Sequence, residues 1–237
     1  MPELVRLNKY LKDQNICSRR KADEFISQGY IKVNGNIVTE LGLKIDPNKD
    51  KIEILPQVEN IKAEFKYILL NKPKGYVCSK SEEEGQNIFE LVPHGLSYAG
   101  RLDKDSRGLL ILSDDGQFVY KIMSHESFLE KEYIVRVNKP ITENFLTALS
   151  SGTIVLDGKM LRKTEIKLIN EYVYSITLTE GVNRQIRRMA ENQGYRVVDL
   201  ERVRIGMIRD RTLSKGAWRN LTKVEIQSLR QTSTSAF

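Results

Sequence analysis

The sequence predicts an α+β protein in which a small helix–helix–hairpin unit precedes a larger one built on a mixed, largely antiparallel sheet flanked by helices. Three observations carry this expectation. Strand-type runs outnumber helix-type runs. They do not alternate with helices in the rhythm of a doubly wound fold. A stretch with a proline and no clear period, "PQVENIKAEFK", separates two differently patterned regions and reads as a linker. At 237 residues the chain can hold one small and one medium domain, and the expected boundaries are 1–58 and 59–237.

The elements follow in order. In "RLNKYLKDQNI", Leu7, Tyr10 and Leu11 recur at helical spacing. In "SRRKADEFISQGY", Ser18 is placed to cap a helix, Ala22, Phe25 and Ile26 share a face, and Gly29 ends it. "YIKVNGNIV" places two short apolar runs around Asn34-Gly35, a strong hairpin signal. "KYILLNKPKGYVCS" reads as a buried strand interrupted by Pro73 and Gly75, then come "GLLILS" as strand and "DDG" as turn. "QFVYKIMS" carries Phe118, Val119, Ile122 and Met123 at helical spacing, "EKEYIVRV" alternates as a strand, and "ITENFLTALSSG" reads as a helix stopped by Gly152. "TEIKLI" and "YVYSITLTEG" make a strand pair. "NRQIRRMAENQG" is a helix with Asn183 as its cap and Gly194 as its stop, and "QTSTSAF" is a frayed tail.

Hydrophobic residues make up 40% of the chain and charged residues 29%, the balance of a soluble globular protein. No apolar run approaches the roughly 18 residues of a membrane helix, and the N-terminus lacks an apolar signal core. Cys17 and Cys78 are far apart with no C-x-x-C, and read as buried small hydrophobes. His94 and His125 have no ligand-type neighbour in sequence. A disulfide framework, a metal site and a membrane partner are therefore not expected, and a reducing cytoplasm is. Net charge is +7. Val182 to Arg230 holds twelve Lys or Arg against five Asp or Glu, a surplus equal to that of the whole chain. A basic region of this kind suits a polyanionic partner; the plainer reading is a solvated face.

Two predicted helices carry cations at the end where the backbone dipole is already positive. The first opens with Arg19, Arg20 and Lys21, the late one with Arg184, Arg187 and Arg188, which share a face at i, i+3, i+4 spacing. Phosphate would offset both, as would local acids such as Asp23 and Glu24 in the first case. "GRLDKDSRGLLILSDDG" sets Arg101, Asp103, Asp105 and Arg107 directly before a buried strand. Residues i and i+2 of a strand-like stretch share a side, so Asp103 and Asp105 could form an acid/base or metal-binding pair. Asp105, Arg107, Asp114 and Asp115 also read as turn residues or local ion pairs. "LERVRIG" places Arg202 and Arg204 on one strand face, as phosphate contacts or solvated charges, and Trp218 reads as core.

"RLNKYLKDQNICSRRKADEFISQGYIKVNG" resembles the S4 domain, a small RNA-binding module, through Arg6, the Ser18-Arg19-Arg20 helix start, Ala22, Gly29 and the Val33-Asn34-Gly35 turn. "GRLDKDSRGLLILSDDG", "EKEYIVRV" and "EGVNRQIRRMAENQGYRVVDLERVRIG" resemble the signatures of the RsuA family of bacterial ribosomal pseudouridine synthases. The resemblance spans about residues 4 to 228, and "GRLDKDS" with "NRQIRRM" is most similar to the RluF-like branch, which acts on 23S rRNA. It implies a cofactor-free, metal-free isomerisation of one uridine in structured large-subunit rRNA by base flipping. Asp103 matches the family's catalytic aspartate, Tyr133 the tyrosine that stacks on the target base, and Arg187 the arginine that pairs with the aspartate. Ile186 matches the apolar residue beside that arginine, and Arg101 an arginine at the mouth of the site. Arg184 and Arg188 complete the expected RNA-facing set; Arg6, Lys9, Arg19, Arg20, Lys21 and Asn34 are the expected S4 contacts. A monomer is the default expectation.

Two rivals stay open at this stage. One is an S4-type ribosome-assembly factor with an idle second domain. The other is a Mg²⁺-dependent RNA-cleaving or phosphoryl-transfer enzyme using Asp103 and Asp105, for which the further clustered acids are missing. Small-subunit rRNA or tRNA are the alternative substrates.

Overall fold

The computed structural model describes residues 4–14, 16–56, 65–79, 85–124 and 127–231; most of the expected linker, the C-terminal tail and His125 lie outside them. The chain divides into two compact units, Met1–Phe65 and Lys66–Phe237.

In the first unit, β1 (Val5–Arg6) leads into α1 (Leu7–Asp13), and α2 (Arg19–Ser27) follows. Ser18 caps α2 by accepting from the Lys21 amide at 3.2 Å. Strands β2 (Ile31–Val33), β3 (Asn36–Val38), β4 (Lys44–Ile45) and β5 (Ile52–Ile54) complete it. The β2–β3 turn is at Asn34 (φ 53°) and Gly35 (φ 82°), the left-handed pair that an Asn-Gly hairpin needs. Leu7, Leu11, Cys17, Ala22, Phe25, Ile26, Ile31 and Ile45 form its core.

The second unit carries β6 (Tyr67–Lys72), β7 (Ser97–Ala99), β8 (Arg107–Ser113), α3 (Gly116–Met123), β9 (Lys131–Val137), α4 (Glu143–Ser150), β10 (Val155–Leu156), β11 (Lys159–Met160), β12 (Glu165–Asn170), β13 (Val173–Leu178), α5 (Gln185–Glu191), β14 (Val197–Ile205), β15 (Trp218–Asn220) and α6 (Lys223–Gln231). Its eight-stranded sheet runs β12-β13-β9-β14-β8-β6-β15, with β7 also paired to β8. Every ladder between these described strands is antiparallel except β14–β8, so the expected mixed, largely antiparallel α+β fold is what the chain adopts. No described helix is long and apolar enough to cross a membrane.

Three local readings need correction. Asn183 does not cap α5; Arg184 takes that position in a left-handed conformation (φ 49°), because Gln185 folds back to accept from the Val182 amide at 3.0 Å. Trp218 is 39% exposed: β15 is the last strand of the sheet and covers only one neighbour. Met123 is also exposed, since α3 buries Phe118 and Ile122 on the opposite side.

The parallel seam between β14 and β8 is two residues long, Glu201 against Arg107 and Arg202 against Gly108. Gly108 has φ +109°, and a Cβ there would lie 2.7 Å from the Arg202 amide nitrogen and closer still to its carbonyl oxygen. Only glycine lets the two backbones meet so closely. Gly108→Ala is therefore expected to lose about 3 kcal/mol or more of unfolding free energy in urea titration; an unaltered midpoint would contradict the close approach.

Candidate active site

The segment from Arg101 to Ser106 is a turn and not strand, so Asp103 and Asp105 come together by a tight loop. The loop is fixed through its backbone. Lys72, fully buried at the end of β6, donates from Nζ to the carbonyls of Asp103 (3.0 Å), Ser106 (2.7 Å) and Pro73 (3.1 Å). The Ser106 amide donates to the Asp103 carbonyl at 3.0 Å, and the Gly75 amide to the Lys104 carbonyl at 2.8 Å. Arg187 of α5 donates from Nη2 to the Asp105 carbonyl (3.3 Å) and to Ser106 Oγ (3.2 Å), and from Nη1 to the Val197 carbonyl (3.2 Å). Burial draws the Lys72 ammonium down to about 8, which leaves it charged at neutral pH.

The two carboxylates face two guanidiniums. Arg187 Nη2 is 3.1 Å from Asp105 and its Nε 4.0 Å from Asp103; Arg184 Nη1 is 3.8 Å from Asp103 and 3.6 Å from Asp105. Arg187 thus makes its close ion pair with Asp105, and reaches Asp103 only with an Nε that has no hydrogen-bond partner among the described residues. The left-handed backbone of Arg184, a conformation that costs about 1–2 kcal/mol, accompanies a guanidinium within ion-pair range of both acids.

Asp103 opens onto a cavity of about 500 Å³, large enough for a nucleoside-sized group. Of the expected site residues, Arg101, Asp103, Tyr133, Arg184 and Ile186 line it. Arg187 is buried behind the loop. Arg188 does not reach the cavity: Asp157 holds its guanidinium bidentately at 2.7 and 2.8 Å. The expected common face of Arg184, Arg187 and Arg188 is therefore divided between a cavity residue, a buried one and a surface ion pair. Arg202 and Arg204 part company too, because the ladder shifts register between them. Arg202 is 2% exposed, on the cavity, and donates to the Leu109 carbonyl at 2.6 Å. Arg204 is tied to Glu130 and Glu132 at 2.8 and 2.9 Å.

In the first unit Arg6, Lys9, Arg19 and Arg20 are exposed. Glu24 takes Lys21 at 2.6 Å and Asp23 accepts from Asn8 at 2.8 Å, so Arg19 and Arg20 make no ion pair among the described residues. Asn34 serves its own turn, accepting from the Lys51 amide (2.8 Å) and donating to Asp50 (2.9 Å).

Lys72 and Lys131 were absent from the sequence-derived site. A lysine closing the apolar run "YILLNK" was the signal for the first, and two-residue alternation with Tyr133 for the second.

Comparison with known proteins bears on this geometry. The family model for RNA pseudouridylate synthase matches residues 66–192, and that for the S4 domain matches residues 5–50. The Dual-specificity RNA pseudouridine synthase RluF of Escherichia coli K12 is 43% identical over 229 residues, covering 95% of this chain and 78% of that protein. The Ribosomal large subunit pseudouridine synthase B of Bacillus subtilis is 35% identical over 240 residues, 96% of each chain. A crystal structure of a pseudouridylate synthase superposes with a TM-score of 0.70 at 31% identity, over 95% of this chain and 99% of that one.

Replacing Lys72 by Met keeps its length and removes its three donors. It is expected to cost about 2–4 kcal/mol through the stranded carbonyls, and to speed amide hydrogen exchange at Ser106. Native-like protection at Ser106 would show that the ammonium does not hold the loop.

Proposed function

The chain belongs to the RNA pseudouridylate synthase family and is an RNA pseudouridine synthase, and we propose that its target is one uridine in a structured stem-loop of large-subunit ribosomal RNA, isomerised at Asp103. The observation that carries the reading is the placing of the Asp103 carboxylate, on a pinned loop beside Arg184 and Arg187, in the same cavity as the Tyr133 ring.

A base inside folded RNA must leave its stack before the N1–C1′ bond can be reached. The cavity receives it, and Tyr133, 9% exposed and fixed on β9, offers an aromatic face worth about 1–3 kcal/mol of stacking. Ile186 closes the apolar side. Breaking the glycosidic bond develops positive charge on the sugar, and the Asp103 carboxylate meets it. Arg184 and Arg187 fix the direction of that carboxylate, with Asp105 satisfying the rest of Arg187. Arg101 and Arg184, at the cavity and exposed, take the RNA backbone the base has left. No step uses a cofactor or metal. Arg6, Lys9, Arg19 and Arg20 supply the S4 unit's phosphate contacts, and tethering adds that affinity to the cleft's own by effective concentration. The protein acts as a monomer in the cytoplasm. The large-subunit assignment is supported by the name of the Bacillus relative.

Two measurements test this. With 5-³H-uridine-labelled large-subunit rRNA in EDTA, wild type is expected to release tritium and Asp103→Asn to release it at least about 10³-fold more slowly; equal release would move the chemistry to another group. The double variant Arg19→Glu/Arg20→Glu is expected to weaken RNA binding and to make the dependence of log affinity on log salt shallower by about two. Its single-turnover rate on bound RNA should match wild type, and unaltered affinity would remove the S4 unit from docking.

A further inference from the structure

Besides the exposed Lys104, the same cavity holds two cations that the proposed chemistry leaves unused. Lys131 and Arg202 both line it. On β9, Lys131 and Tyr133 are two residues apart and share a face; on β14, Arg202 is the direct cross-strand partner of Tyr133. The pair therefore flanks the ring on which the base would stack. Neither makes an ion pair among the described residues. Lys131 donates from Nζ to the Leu129 carbonyl at 2.9 Å, and Arg202 from Nε to the Leu109 carbonyl, while Arg202 Nη2 is buried with no hydrogen-bond partner among the described residues. Burial, with the Arg202 charge added to it, brings Lys131 down to about 8.

Two desolvated cations beside each other, without a counter-ion, cost the fold free energy. Such an arrangement persists where a ligand supplies the missing charge. Backbone phosphates are the less suitable ligand. They stay with the RNA strand at the mouth, where Arg101 and Arg184 are exposed, whereas Arg202 is 2% exposed and meets only what enters fully.

We propose that Lys131 and Arg202 receive the carbonyl edge of the flipped uracil and stabilise the negative charge it carries between bond breaking and bond making. The inference rests on the uridine-isomerase reading above. When N1–C1′ breaks, the bonding pair stays on the base and spreads over N1, O2 and O4. It is returned when C5 bonds to C1′; the C5 proton then leaves, N1 gains one, and the product is an isomer of the substrate. Cations preplaced at O2 or O4 bind the departing base more tightly than the neutral uridine, which is what accelerates the step.

The test uses the full-length protein and 5-³H-uridine-labelled rRNA under single turnover. Lys131→Gln is expected to slow tritium release by about 10²-fold, with RNA affinity within about threefold of wild type and most of the rate restored in Lys131→Arg. Arg202→Lys, which keeps the buried charge, covers the case in which larger changes at Arg202 unfold the sheet, and should lose about tenfold. A second substrate separates charge stabilisation from packing. In 5-fluorouridine RNA the fluorine makes the base a more stable anion, so the Lys131→Gln penalty on glycosidic cleavage should shrink to about tenfold or less. Equal penalties on both substrates, an unaltered rate, or an affinity loss that accounts for the whole effect (a phosphate contact) would each overturn the proposal. Wild type that releases no tritium would sink the substrate reading and this inference with it; release by wild type and Lys131→Gln at one rate sinks only the inference.

Discussion

Four consecutive backbone carbonyls, from Asp103 to Ser106, each have a donor, and the site depends on that. Lys72 supplies two of them, Gly75 and Arg187 one each, and the Ser106 amide shares the first. A turn whose acceptors are all engaged has little freedom to rearrange, because any other geometry strands a buried polar group. The donors come through the backbone, so the side-chain oxygens of Asp103 are not consumed. They are left with long contacts of 3.8 and 4.0 Å to two guanidiniums, a carboxylate aimed but still available.

Charge on this protein is less a map of contacts than its totals suggest. Much of the cationic surplus between Val182 and Arg230 is spent internally: Arg188 on Asp157, Arg204 on Glu130 and Glu132, Arg209 on Glu132, Arg219 on Asp210 and Glu225. The seam beside the site follows the same pattern. Arg107 spans Asp199 at 2.8 Å and Glu201 at 2.6 Å, and Lys74 reaches Asp199 at 2.6 Å. Against the burial that would raise it, Arg107 and Lys74 hold the Asp199 carboxyl well below the usual carboxylate range. Arg184 and Arg202 are the cations of the Val182–Arg230 stretch that line the cavity, and neither has a short pairing to an acid among the described residues.

Much of the architecture was legible along the chain, since it rests on local signals. An unbroken apolar run marked β8 and alternation marked β9, the Asn-Gly turn fixed the first hairpin, Ser18 capped α2, and Gly152 and Gly194 adopt positive φ just beyond their helices. The site was legible in part, through motif resemblance. Composition could not separate Asp103 from Asp105, because what distinguishes them is a loop geometry imposed by Lys72, more than thirty residues away, and by Arg187, more than eighty away. The helical periodicity of "NRQIRRM" likewise grouped three arginines on one face. A single left-handed residue and a buried seam assign them three different environments.

The two-residue parallel seam has a consequence for how the second unit comes apart. On one side of it β12, β13, β9 and β14 share a core with α4 and α5; on the other β6, β7 and β8 pack against α3 and α6. So narrow a ladder makes the two halves natural candidates for separate cooperative units in hydrogen exchange, each protected more by its own core than by the other half. The Asp103 turn hangs between them, carried by β8 but clamped by Arg187 from α5. Its order is then a report on their docking: the half-assembled chain would keep most of its hydrogen bonds and have no active site.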